Sequence, residues 1–107
     1  MDLKLQDKVV LVTGGSKGIG AGIVRSFLAE GARVANVNRS TAEGIALEAE
    51  YAAQSKDCFF IQGDLSEVAA CRNAIEATIQ KFGCIDILVN NAGVNDSVGL
   101  DQGPDAF

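Results

Sequence analysis

The chain contains no histidine. That absence removes every Ser-His and Cys-His nucleophile pair and most metal sites, because imidazole is the usual partner base and a frequent zinc ligand. Cysteine is scarce as well: Cys58, Cys71 and Cys84 are the three present, thirteen residues apart. They are too few and too widely spaced for a disulfide framework or a zinc clamp. No metal is expected, and the expectation for the cysteines is small, buried, reduced thiols in a reducing cytoplasm. No apolar run approaches the roughly 18 residues that a membrane span needs. The opening segment, MDLKLQDKVV, mixes acids with bases and lacks a long apolar stretch, so it does not read as a secretory signal. Positive charge is in the minority: nine Lys and Arg against fourteen Asp and Glu leave a net charge of -5. That balance argues against a polyanion-binding surface, so neither nucleic acid nor an acidic membrane is the expected partner. The expected partner is a small molecule, and the expected location is the cytoplasm.

What remains is ordinary for one α/β core: 107 residues, 48% hydrophobic, with twelve glycines and one proline. Strand and helix patterns alternate along it. Lys8–Thr13 (KVVLVT) is a short, β-branched apolar run of the kind buried on both faces of a sheet. Gly18–Glu30 follows with a helical stripe of Ile19, Ile23, Val24, Phe27 and Leu28, and Gly31 stands where a C-terminal cap glycine belongs. Arg33–Asn38 reads as a second strand. Ser40-Thr41-Ala42-Glu43 has a capping-box pattern, opening a helix that runs to about Gln54. Cys58–Gln62 is a third strand, and Val68, Cys71, Ile75, Thr78, Ile79 and Phe82 mark one face of a third helix ended by Gly83. Ile85–Val89 is the fourth strand; polar, glycine-rich sequence follows until Gly103-Pro104, where another helix is expected to begin. On this scheme the cysteines fall on a strand, a helix and a turn. Short connections between alternating elements imply parallel strands joined by right-handed crossovers, hence an α/β, Rossmann-like doubly wound sheet in the order 3-2-1-4.

Between the first strand and first helix stands Thr13-Gly14-Gly15-Ser16-Lys17-Gly18-Ile19-Gly20. A strand-loop-helix junction aims free backbone N–H groups, and the positive end of the helix dipole, at whatever docks there, and a pyrophosphate is the natural guest. Gly14 permits the tight turn, Gly18 lets backbone approach the phosphates, and Gly20 allows close packing of helix on sheet. A P-loop would require Gly-Lys-Ser/Thr at the helix start. Here Ala21 and Gly22 follow Gly20, so that alternative falls.

The segment TGGSKGIG resembles the T-G-x-x-x-G-x-G motif of the short-chain dehydrogenase/reductase family. Gly63-Asp64-Leu65, closing the third strand, is similar to that family's D-[VL] pair, and Asn90-Asn91-Ala92-Gly93, closing the fourth, to its N-N-A-G motif. All three lie in order at carboxyl ends of strands, where ligands of open parallel sheets bind. The resemblance implies an NAD(P)-dependent oxidoreductase. It implies cofactor contacts from Gly14, Ser16, Lys17, Gly18, Ile19 and Gly20, adenine contacts from Asp64 and Leu65, and a border of the cofactor formed by Asn90, Asn91, Ala92 and Gly93. Asp64 reads also as an acid that begins a loop or caps the next helix, and the two asparagines as holders of loop backbone.

At the end of the second strand a carboxylate would bond the adenosine ribose and select NAD. Asn38 stands there, followed by Arg39. The repulsion toward a 2′-phosphate is gone and a guanidinium is available to grip it, so NADP(H) is expected in preference to NAD(H). Lys17 resembles the family's second basic contact to that phosphate. A methyltransferase would also want an acid at position 38, and the N-N-A-G segment counts against one.

The resemblance also implies catalysis by a Tyr and a Lys four residues apart, a Ser and an Asn, all beyond the N-N-A-G segment. The lone tyrosine, Tyr51, has Ser55 four residues later and lies on the second helix. No residue is assigned a catalytic role, and residues 1–107 are expected to be the NAD(P)-binding half-domain at the front of a longer chain. The loop Val94–Asp101, with the opening MDLKLQDKVV, resembles the sugar dehydrogenase branch, nearest to L-fucose dehydrogenases. Asn95 and Asp96 would there meet the hydroxyls of a sugar or polyol, although ordinary turn residues look the same. The family's habit of forming dimers or tetramers implies a homo-oligomer. The competing function is a non-catalytic NADP(H)-binding module, which needs the same glycine loop.

Overall fold

The computed structural model describes residues 4–14 and 18–91. Four strands and three helices alternate: β1 (Val9–Thr13), α1 (Gly18–Ala29), β2 (Arg33–Asn38), α2 (Thr41–Ala52), β3 (Cys58–Gln62), α3 (Val68–Phe82) and β4 (Ile87–Asn90). The strands form one parallel sheet in the order β3-β2-β1-β4, as the alternation implied. The helix expected at Gly103-Pro104 lies outside the described residues.

Both faces of the sheet are covered at β1, which is why Val9–Val12 are apolar and the strand is buried throughout, Thr13 included. Val10, Val12 and Val34 pack with Val24 and Leu28 of α1 and Leu47 and Tyr51 of α2 on one face. Leu11, Ala35, Val37 and Ile61 pack with Ala74 of α3 on the other. Alternate side chains of a strand point to opposite faces, so Val10 and Leu11 serve the two cores in turn.

Helix α1 ends as the glycine predicts: Gly31 has φ +84°, its N–H donates to the Leu28 carbonyl and that of Ala32 to Phe27. These are the paired bonds of a Schellman cap. The start of α2 departs from the expected capping box. Ser40 is the N-cap residue but makes no side-chain cap bond. Its own backbone N–H, which the box would give to Glu43, donates instead to Asn38 Oδ1 at 2.8 Å.

The third helix is rotated from the expected face. Ala74 and Thr78 are the buried residues of α3, with Cys71 and Phe82 half-buried. Val68, Ile75 and Ile79 are exposed. Small residues let α3 approach Leu11 and Ala35 closely, so the larger side chains one position on are turned outward. In β4 the strand starts at Ile87 rather than Ile85. The N–H of Val9 is taken by the Asp86 carboxylate at 2.8 Å, and pairing with β1 opens on Val10 and Ile87.

The cysteines divide three ways, all free: Cys58 buried, Cys71 half-buried, Cys84 exposed. The expectation of buried thiols fails for Cys84, which follows the cap glycine Gly83 in the turn before β4. Among the described residues no helix is long and apolar enough to cross a membrane.

Candidate functional site

The spatial strand order β3-β2-β1-β4 sets four chain segments side by side along the carboxyl edge of the sheet: Asp64, Asn38 with Arg39, Gly14, and Asn91. Backbone bonds knit the row together. Gly14 N–H donates to the Val37 carbonyl at 2.7 Å, and Gly63 N–H to that of Asn38 at 3.0 Å.

The turn after β1 is held from the side by β4. Thr13, the last residue of β1 and 7% exposed, donates through its hydroxyl to Asn90 Oδ1 at 3.0 Å. The same oxygen accepts the backbone N–H of Asn91 at 2.7 Å. Asn91 Nδ2 then donates to the Gly14 carbonyl at 3.3 Å. A Cβ at Gly20 would overlap that carbonyl and come within 2.8 Å of Asn91 Nδ2. Glycine at position 20 is therefore what lets α1 seat against the turn. Gly14 and Gly18 have φ of +70° and +60°, values that L side chains seldom adopt.

The turn fits the phosphates of a dinucleotide. Helix α1 begins at Gly18 with no acid in its first turn to satisfy the dipole, and its first N–H groups have no intrahelical acceptor. Among the described residues a Cβ at Gly18 would meet nothing within 4 Å, which leaves the backbone open to a guest on that side. Ile19 is 67% exposed; it belongs to this open rim and not to the core stripe of α1, whose buried members are Gly20, Ala21, Val24 and Leu28.

At the end of β2, Asn38 is tied by its Oδ1 to Ser40 N–H, and Arg39 beside it is exposed. At the end of β3, Asp64 Oδ1 accepts the Ser66 N–H at 3.0 Å. Asp64 does not cap α3, whose N-cap residue is Glu67. The Ser66 backbone N–H, then its hydroxyl, hold the Asp64 carboxyl below its ordinary range; a little burial opposes them and the Arg39 guanidinium adds to the lowering. Leu65 is half-buried against the Leu11, Val37 and Ile61 cluster.

Of the expected cofactor residues, Gly14, Gly18, Ile19, Gly20, Asn38, Arg39, Asp64, Leu65, Asn90 and Asn91 are thus gathered along one edge. Ser16, Lys17, Ala92, Gly93, Asn95 and Asp96 lie outside the described residues. Thr13 was missed as a working residue: a threonine ending a β-branched strand reads as one more strand former. Tyr51 is buried in the α1–α2 core, far in function from any acid-base role. A groove of about 760 Å³ lies at the opposite edge, between Gln6, Gly31, Lys56 and Asp57. It sits at the amino ends of the strands, away from the open start of α1, and is not the site.

The model of the short chain dehydrogenase family matches residues 8–106, and the chain belongs to that family of oxidoreductases. It is 44% identical over 98 residues to a probable galactose dehydrogenase of Rhizobium meliloti (strain 1021), spanning 91% of this chain and 38% of the relative. It is 41% identical over 95 residues to the L-fucose dehydrogenase of Mus musculus, spanning 89% of this chain and 33% of the relative. Among solved structures, a short-chain dehydrogenase/reductase from Serratia marcescens superposes with TM-score 0.80 at 38% identity, over 92% of this chain and 42% of that one. A blue fluorescent protein from a metagenomic library, in complex with NADPH, superposes with TM-score 0.78 at 43% identity, over 83% and 37%. The chain spans roughly two-fifths or less of the length of these relatives.

Proposed function

We propose that residues 1–107 are the nucleotide-binding part of an NAD(P)-dependent dehydrogenase that prefers NADP(H) and acts on a sugar or polyol. The observation that carries the reading is the clasp from Thr13 through Asn90 and Asn91 to the Gly14 carbonyl. It holds a glycine turn, and the open start of α1, at the carboxyl edge of a parallel sheet. When bound, the nicotinamide supplies hydride transfer to or from an alcohol or carbonyl carbon. The residues of this chain bind and orient.

The turn Gly14–Gly20, with Ser16 and Lys17 in it, receives the pyrophosphate on backbone N–H groups. Asp64 and Leu65 meet the adenine. Asn38, a neutral residue where an acid would repel a second phosphate, and Arg39, a guanidinium able to take a phosphate bidentately, favour NADP(H). Asn90, Asn91, Ala92 and Gly93 border the nicotinamide side, and Asn95 and Asp96 meet substrate hydroxyls. The acid-base groups are not among these residues. The likeness to a protein in complex with NADPH supports the cofactor preference, and relatives named galactose and L-fucose dehydrogenase support the substrate class.

The test is Arg39→Asp in the full-length protein, titrated with NADPH and NADH. Charged hydrogen bonds to phosphate contribute about 1.5–3 kcal/mol, so NADPH affinity should fall roughly ten- to a hundredfold more than NADH affinity. Equal losses for both nucleotides refute the phosphate assignment. Reduction of NADP⁺ by aldoses then tests the substrate class, and tight binding without turnover on any aldose or polyol would leave a non-catalytic module.

A further inference from the structure

Arg39 and Asp64 follow the carboxyl ends of adjacent parallel strands, one residue out of step in the ladder. The ladder between β2 and β3 pairs Val37 with Ile61 and Asn38 with Gln62, and the Gly63 N–H bond to the Asn38 carbonyl carries it one step further. Beyond that step β2 delivers a cation and β3 an anion. The Asp64 carboxylate is held in place: Oδ1 accepts the Ser66 N–H at 3.0 Å, and the turn is closed by Glu67 N–H donating to the Asp64 carbonyl at 3.0 Å. Arg39 is exposed and makes no ion pair within 4 Å among the described residues. The two groups therefore form no ion pair, yet the Arg39 charge is felt at the Asp64 carboxyl. The carboxyl is kept ionised by the Ser66 donors, with the guanidinium assisting.

We propose that Asp64 is a specificity-determining residue, whose fixed negative charge beside Arg39 limits how strongly the site prefers a nucleotide bearing an extra phosphate on its adenosine. The proposal rests on the nucleotide reading above. A phosphate monoester brings a charge of about −1.5 to −2 at neutral pH. At Arg39 it meets one favourable charge and one opposing charge anchored to the next strand. Without that phosphate a nucleotide places no such charge there. Asp64 thereby weakens the phosphorylated nucleotide selectively, and the site is tempered toward use of both nicotinamide nucleotides.

The experiment is calorimetric titration of NADPH and NADH into the full-length protein and its Asp64→Asn variant. Asparagine keeps the size of the side chain and an oxygen acceptor for the Ser66 N–H, and removes the charge. Any contact that Asp64 makes to adenine is common to both nucleotides and cancels in the ratio of their affinities. Exposed charge pairs contribute modestly, so the NADPH-to-NADH affinity ratio should rise about two- to fivefold. The gain should shrink in about 1 M salt, where the screening length falls to about 3 Å. Asp64→Ser, which also retains a turn acceptor, should raise the ratio likewise and serves if the asparagine variant folds poorly. A ratio that is unchanged or lowered overturns the proposal while leaving the nucleotide reading intact. A wild-type protein that binds neither nucleotide overturns both.

Discussion

The hydroxyl of Thr13 donates to Asn90 Oδ1 at 3.0 Å, joining the ends of two strands 77 residues apart in sequence. Through it the last residue of β4 positions the turn that follows β1, and the same hydroxyl accepts the Asn91 N–H at 2.7 Å. Two stretches that read in the sequence as separate motifs are one hydrogen-bonded unit.

Thr13→Val keeps the shape and β propensity of the side chain and removes the hydroxyl. The Asn91 N–H and Asn90 Oδ1 lose their partner in a half-buried site, and an unsatisfied polar group there costs about 1–3 kcal/mol. Urea unfolding should register that loss, and Thr13→Ser should recover most of it. Equal stability of the valine variant and wild type would remove the clasp from the account.

Gly20 and Gly22 lie two residues apart on α1 and should respond oppositely to alanine. At Gly20 the new methyl overlaps the Gly14 carbonyl, whereas at Gly22 none of the described residues lies within 4 Å. Overpacking against backbone costs about 1–3 kcal/mol, and Gly20→Ala should also weaken nucleotide binding by displacing the turn. Gly22→Ala should gain about 0.5–1 kcal/mol, because alanine loses less conformational freedom in a helix. Thermal unfolding of both variants checks the pair, and losses of similar size would contradict the packing described.

The contrast between these glycines was only partly legible beforehand. The register of TGGSKGIG after a buried strand marked Gly20 as a packing position, and the alternation of apolar runs and helical stripes led to the strand order. Side-chain competition was not legible. Nothing in Ser40-Thr41-Ala42-Glu43 says that Asn38 takes the Ser40 N–H first. Likewise the stripe on α3 was read from its largest apolar residues, yet burial follows Ala74 and Thr78 because small side chains let the helix lie close to the sheet. Thr13 escaped notice for a related reason, since its second role depends on an element far along the chain.

Cys58 should make the fold sensitive to alkali. Burial, reinforced by the Glu48 charge and opposed by the Asn36 amide, raises its pKa from 9.0 to about 11. The folded state holds this proton more tightly than the unfolded state does. The contribution is therefore full below pH 9 and disappears as pH rises toward 11. At about 1.4 kcal/mol per pKa unit, the loss is on the order of 2–3 kcal/mol. The stability gap between wild type and Cys58→Ala should narrow across that interval, and a constant gap would contradict the assignment. In the same protein a thiol reagent at about pH 8 should label exposed Cys84 readily and Cys58 only on unfolding.

The central claim, that the turn between β1 and α1 receives a dinucleotide, is tested most directly at Gly18. A Cβ there meets none of the described residues within 4 Å, and the space beyond it is the space assigned to the pyrophosphate. Its positive φ carries a strain of about 1–3 kcal/mol, which circular dichroism and unfolding curves measure separately from binding. The measurement is NADPH affinity of full-length Gly18→Val at a temperature where the variant is folded. The account predicts that binding is abolished; a folded variant with wild-type NADPH affinity would contradict it.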